Sequence, residues 1–128
     1  MFYMAKISVV IPNYNSSRTI SKTILSLRDQ SFKEFNVIIV DDGSKDNSVS
    51  IIKDLIKDWK NFRLVELPEN RGASNARNVG AEKSNGKIIL FTDSDVVLKE
   101  DTVQKIVEFF KKNPDSDSVV GLPDKKSS

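Results

Sequence analysis

The chain has 128 residues, 38% of them hydrophobic and 30% charged, which is the composition of one globular domain and not of a disordered segment. Lys and Arg total 20 against 18 Asp and Glu, a net charge of +2 that is too near neutral for a polyanion-binding surface. With neither Cys nor His, the chain has no disulfide, thiolate nucleophile, iron–sulfur or thiolate-zinc site, no Ser-His-Asp triad and no imidazole ligand. Carboxylates, amides, hydroxyls, Lys and Arg remain, so a bound metal would be a hard, oxygen-seeking ion such as magnesium or manganese.

In chain order, Ile7 to Ile11 predicts a buried strand, stopped by Pro12 and the polar run Asn13 to Ser17. A helix follows, capped by Ser16 or Ser17, with Ile20, Ile24 and Leu27 on one face. Asn36 to Val40 is a second strand and ends in Asp41-Asp42-Gly43-Ser44. Asp46 or Asn47 caps a second helix, whose Ile52, Leu55, Ile56 and Trp59 fall at i, i+3, i+4 and i+7. Arg63 to Leu67 is a third strand, closed by Pro68, and Asn70-Arg71-Gly72 leads into a small-residue helix over about 73–83. Lys87 to Thr92 is a fourth strand ending in Asp93-Ser94-Asp95, and Val103, Ile106, Val107 and Phe110 mark a fourth helix. Ser118 to Gly121 reads as a fifth strand.

The apolar runs Val37–Val40 and Ile88–Phe91 hold four residues each, against about 20 for a membrane span. Met1 to Lys6 is too short and polar for a signal peptide. The expectation is a soluble, cytoplasmic chain, at the membrane surface in a longer form. It comprises one domain over 1–128, ordered over about 7–121 with a loose tail at 122–128.

Strands alternating with amphipathic helices predict an α/β, Rossmann-like fold, a mostly parallel sheet with helices on both faces. In such a sheet ligands bind beyond the carboxyl ends of the strands, where the polar clusters of this sequence fall. Asp93 and Asp95, at i and i+2, can face one ligand, and their mutual repulsion calls for a cation, which can bridge to a diphosphate. The plainer alternative is a turn-capping Asp. An acid of the Asp41-Asp42 pair can accept from a ribose or a base edge, or can simply belong to a turn with Gly43. Tyr14 can stack on a base or merely pack. Arg71 and Arg77 can pair with phosphate or form surface ion pairs. Ala73, Ala76 and Gly80 suit close packing of helix on sheet. No GxGxxG, no Walker A loop and no basic patch with interleaved aromatics occurs, so nucleic acid is not an expected partner.

Two relatives of this architecture fit poorly. A receiver domain needs its acid pair after the first strand, where Asn13-Tyr14-Asn15 stands. A nucleotidyltransferase needs a Gly-rich basic loop there, and Asn13 to Ser17 contains no Gly.

Four motifs, Val10-Ile11-Pro12-Asn13-Tyr14-Asn15, Val40-Asp41-Asp42-Gly43-Ser44, the run Asn70 to Gly80 and Thr92-Asp93-Ser94-Asp95, resemble glycosyltransferase family 2 in content and order. The resemblance spans about 7–121 and implies the GT-A fold with a nucleotide-sugar donor, most often a UDP-sugar, and a saccharide or lipid acceptor. By that resemblance Tyr14 and the Pro12 backbone flank the base, Asp42 accepts from it, Arg71 lies near the nucleotide and Asp93 sits by the ribose. Asp95, with Asp93, would hold a Mn2+ or Mg2+ ion on the diphosphate. Family members are usually at least twice this long, and their general base lies well downstream of the DxD motif. Asp101 follows too closely to match it, and Asp115, Asp117 and Asp124 lie near the end, so no catalytic base is assigned. The expectation is therefore a truncated, donor-binding part of a transferase, with inversion by single displacement. The alternative is a noncatalytic nucleotide-binding or assembly module. An unpaired sheet edge would be the route to a homo-oligomer.

Overall fold

Strand and helix alternate through residues 7–114, the part of the chain described by a computed structural model. The order is β1 (Ile7–Asn13), α1 (Ile20–Arg28), β2 (Phe35–Asp41), α2 (Ser48–Ile56), β3 (Phe62–Glu66), α3 (Ala73–Lys83), β4 (Ile88–Phe91) and α4 (Thr102–Lys112). The expected fifth strand at 118–121 and the tail lie outside the described residues. The four strands form one parallel sheet in the order β3-β2-β1-β4. β2 is buried along its whole length, as its unbroken apolar run requires of an inner parallel strand.

β1 runs through Pro12 to Asn13, beyond the expected stop. Val10 accepts a hydrogen bond from Thr92 on the β4 side, and Asn13 accepts from Asp42 on the β2 side. Pro12 therefore turns its missing N–H toward β4, which has already ended at Phe91, and no ladder bond is lost. α1 starts at Ile20, later than a Ser16 or Ser17 cap predicts. Thr19 holds the cap position without a side-chain bond to the helix N–H groups, while the Ser16 carbonyl accepts from the Thr19 and Ile20 amides and the Thr19 hydroxyl.

The two faces of the sheet are covered unequally. Ile7, Val9, Ile11, Phe35, Val37 and Ile39 point to the face packed by α1, α2 and α4, whose Ile24, Leu27, Ile52, Val103 and Val107 complete the larger core. Ile38 and Val40 face the other way, against Ala76 of α3. Ile89 and Phe91 of β4, at the outer edge of the sheet, stay exposed on that second face. Among the described residues no helix is long and apolar enough to cross a membrane.

Gly80 lets α3 settle on the sheet, because a Cβ there would lie 2.3 Å from the Val10 Cγ1 atom. Alanine gains about 1 kcal/mol in helix propensity, but overpacking a buried contact costs about 1–3 kcal/mol. Gly80→Ala is expected to lower the urea midpoint. A variant as stable as the parent would show that the helix stands off the sheet.

Candidate functional site

The chain leaves β1 toward β2 and β3 and then returns to place β4 on the other side of β1, so strand order reverses between β1 and β4. Loops there diverge and open a crevice. A cleft of about 670 Å³ lies at this point. Its walls are the β1–α1 loop from Pro12 to Thr19, Asp42, the Asn70-Gly72-Ala73 entry to α3, Arg77, and Asp93-Ser94-Asp95. Of the six site residues expected from the sequence, Pro12, Tyr14, Asp42, Asp93 and Asp95 line it. Arg71 does not, and its guanidinium pairs with Glu69 at 3.0 Å.

The two adjacent acids at the end of β2 have separate tasks. Asp41 is 3% exposed and turns into the loop, where its Oδ1 accepts from Asn13 Nδ2 (2.9 Å) and the Ser44 hydroxyl (2.6 Å), and its Oδ2 from the Ser44 amide. Asp42, 2% exposed, turns to the cleft. Its Oδ1 accepts from the Arg71 amide (2.9 Å), and its Oδ2 from the Gly72 amide (2.8 Å) and Asn70 Nδ2 (2.9 Å). A carboxylate oxygen can take two donors, so Oδ1 keeps acceptor capacity for a ligand while Asp42 anchors the entry to α3. Gly43 permits this approach. It sits at φ +75°, and a Cβ there would lie 2.8 Å from the Asn70 nitrogen and the Glu69 carbonyl carbon.

Asn15 and Asp46 clasp the first two loops together. Asn15, at φ 47°, accepts at Oδ1 from the Lys45 and Asp46 amides and donates its own amide to the Ser44 hydroxyl. Asp46 accepts from the Ser17 amide and from both the amide and hydroxyl of Ser48. Desolvation alone would raise the Asp46 pKa; the Ser48 and Ser17 hydrogen bonds outweigh it and lower the value from 3.8 to about 2. A depressed carboxyl pKa stabilises the fold above the unfolded value, and that contribution disappears as pH falls from 3.8 to about 2. Because Asp46 is exposed, solvent screening limits the effect to about 1 kcal/mol or less. Asp46→Asn should therefore unfold at lower urea than the parent at pH 7. That gap should close near pH 2, and a gap independent of pH would contradict the clasp.

At the opposite wall Asp93 pairs with Arg77 at 3.2 Å. Asp95 is exposed and makes no hydrogen bond or ion pair to another described residue. Two carboxylates separated by one residue on a cleft wall suit a hard cation that takes its remaining donors from phosphate and water. No group of three or more acids converges among the described residues, so these residues alone form no complete cage. Tyr14 stands 44% exposed at the cleft, with its ring available to a flat ligand.

Among the cleft residues beyond those six are Arg18, Asn70, Ser94 and Arg77, the last already a phosphate candidate from the sequence. Arg77 had a legible signal. Ala76 and Gly80 share the face of α3 buried on the sheet, whereas Ala73 and Arg77, four apart, share the neighbouring face that borders the cleft. Arg18 and Ser94 carried no such periodicity.

Comparison with known proteins extends this geometry. The profile described as Glycosyl transferase family 2 matches residues 8–128. An uncharacterized glycosyltransferase of Haemophilus influenzae is 38% identical over 110 residues, 86% of this chain and 44% of the relative. The Staphylococcus aureus TarS 1–349 structure in complex with UDP is 33% identical with a TM-score of 0.78, over 84% of this chain and 32% of that one. The mannosyltransferase PcManGT of Pyrobaculum calidifontis, in complex with GDP-Man and Mn2+, is 26% identical with a TM-score of 0.78, over 84% and 33%. The chain thus spans less than half the length of each. A profile covering all but the first seven residues, on a parallel sheet that matches these transferases, means that the chain belongs to glycosyl transferase family 2.

Proposed function

We propose that the cleft binds a nucleoside diphosphate sugar, specifically a UDP-sugar, together with a divalent cation, Mn2+ or Mg2+. The observation that carries this reading is the convergence, at one reversal of strand order, of Tyr14, Asp42 and the Asp93–Asp95 pair. Tyr14 and Pro12 offer a base-sized wall, and Asp42 keeps one acceptor position toward it. Asp95, without a partner of its own among the described residues, is the main protein ligand of the cation; Asp93 lies beside it, steadied by Arg77. Bound there, the cation neutralises the diphosphate and stabilises it as a leaving group. Arg18 and Arg77 are the cations that line the cleft and are placed to meet phosphate. A TarS structure with UDP-GlcNAc and the GDP-Man and Mn2+ complex of PcManGT support both parts of the ligand set.

In inverting transfer an acceptor hydroxyl attacks the anomeric carbon, the bond to the diphosphate breaks, and a general base takes the hydroxyl proton. Of the described acids only Asp42, Asp93 and Asp95 line the cleft, and each is engaged in donor binding under this reading. The base and the saccharide or lipid acceptor surface are therefore assigned outside the described residues. Backbone amide shifts on addition of UDP and Mg2+ test the reading. Perturbations should concentrate at 12–19, 42, 70–73 and 93–95, and perturbations confined to other surfaces would refute it.

A further inference from the structure

Thr23 and Ser26 of α1, and Gln30 just beyond its end, fall at i, i+3 and i+7 and form a polar stripe beside the core face of Ile20, Ile24 and Leu27. Thr23 and Gln30 are fully buried. Each member of the stripe is spent on the main chain that follows β4. Gln30 donates from Nε2 to the Lys99 carbonyl (2.6 Å) and accepts at Oε1 from the Val103 amide (2.9 Å). The Ser26 hydroxyl accepts from the Leu98 amide. Thr23 donates its hydroxyl to the Ser94 carbonyl at 3.0 Å, and the Ser94 hydroxyl meets that of Ser16 at 2.7 Å.

The Ser94 carbonyl belongs to the peptide that joins Ser94 to Asp95. That peptide is planar, so a hydroxyl held against its oxygen also orients the Asp95 nitrogen and Cα. Two like charges one residue apart would otherwise swing away from each other. Arg77 holds Asp93, Ser16 holds the Ser94 side chain, and Thr23 holds the Ser94–Asp95 peptide; Asp95 has no anchor of its own among the described residues. We propose that Thr23, assisted by Ser16, is a positioning residue that presents the Asp95 carboxylate to the cation from the buried side of α1. This rests on the reading of the cleft as a divalent cation and diphosphate site.

The test compares Thr23→Val, which keeps the shape and removes the hydroxyl, with Thr23→Ser, which restores it. In the unliganded chain Thr23→Val should speed amide exchange at residues 94–96, and Thr23→Ser should match the parent. In calorimetric titrations Thr23→Val should weaken UDP binding about tenfold with Mn2+ present, leave it within about twofold in EDTA, and be rescued by Thr23→Ser. Parent-like exchange at 94–96 in Thr23→Val would overturn the proposal whatever the nucleotide does, as would an equal loss with and without Mn2+. A parent chain that binds UDP no better with Mn2+ than without it would instead overturn the reading of the cleft. Should Thr23→Val lose its cooperative unfolding transition, Ser16→Ala, which removes the contact to the Ser94 hydroxyl, should speed amide exchange at residues 94–96 in the unliganded chain, and parent-like exchange there would overturn the proposal.

Discussion

Asp95→Ala is expected to weaken Mn2+-dependent binding of UDP by at least about 100-fold, the upper end of what even indirect damage to a metal site costs. A divalent ion on a diphosphate draws its other ligands from the protein and from water, and Asp95 is the cleft carboxylate with no competing partner among the described residues. Because that side chain is exposed and bonded to nothing described, its removal should leave the unfolding midpoint unchanged. In EDTA the variant should bind UDP as the parent does, since the base and ribose contacts lie elsewhere. Titration calorimetry of parent and variant in both buffers makes the comparison. An Asp95→Ala chain that binds UDP and Mn2+ like the parent would move the cation to other residues.

The second large effect belongs to Asp42 and combines stability with binding. Its carboxylate is almost wholly buried and receives three donors from residues 70–72. Asparagine keeps the shape but replaces one acceptor oxygen by an NH2 group, which must then face a backbone N–H. A buried donor left unmatched costs about 1–3 kcal/mol, and the lost charge adds to it, so Asp42→Asn should destabilise by about 2–4 kcal/mol. The entry to α3 would loosen with it, and UDP should bind more weakly both with and without Mn2+. That pattern separates Asp42 from Asp95, whose loss acts only through the cation. Urea unfolding together with the paired titrations checks both halves. A variant of parental stability would mean that Asp42 does not organise the 70–72 turn.

The strands were legible because the inner ones are short, mostly apolar runs that a sheet covered on both faces can hide. Their polar ends were legible as a site for the same reason: parallel strands deliver every carboxyl end to one edge. Gly43 read as a turn, and φ +75° bears that out. Less legible were features set by contacts distant in sequence. The start of α1 is displaced because the Ser16 hydroxyl meets Ser94, 78 residues away, instead of capping the helix. Asp41 and Asp42 look alike in sequence, and only the pleat sends one into the loop and the other to the cleft. Arg71 and Arg77 are alike as phosphate candidates in sequence, and each forms an ion pair, but only Arg77 lines the cleft. The stripe Thr23, Ser26 and Gln30 looks like an ordinary solvated face until the chain after β4 is laid against it.

A working donor site in this chain would bind UDP by itself. Calorimetric titration of UDP into the 128-residue chain, with Mn2+ and again in EDTA, tests it most directly. One site per chain is expected, with binding tightened by Mn2+. No binding of UDP, GDP or dTDP under either condition would contradict it, and the family fold would then persist here without its nucleotide.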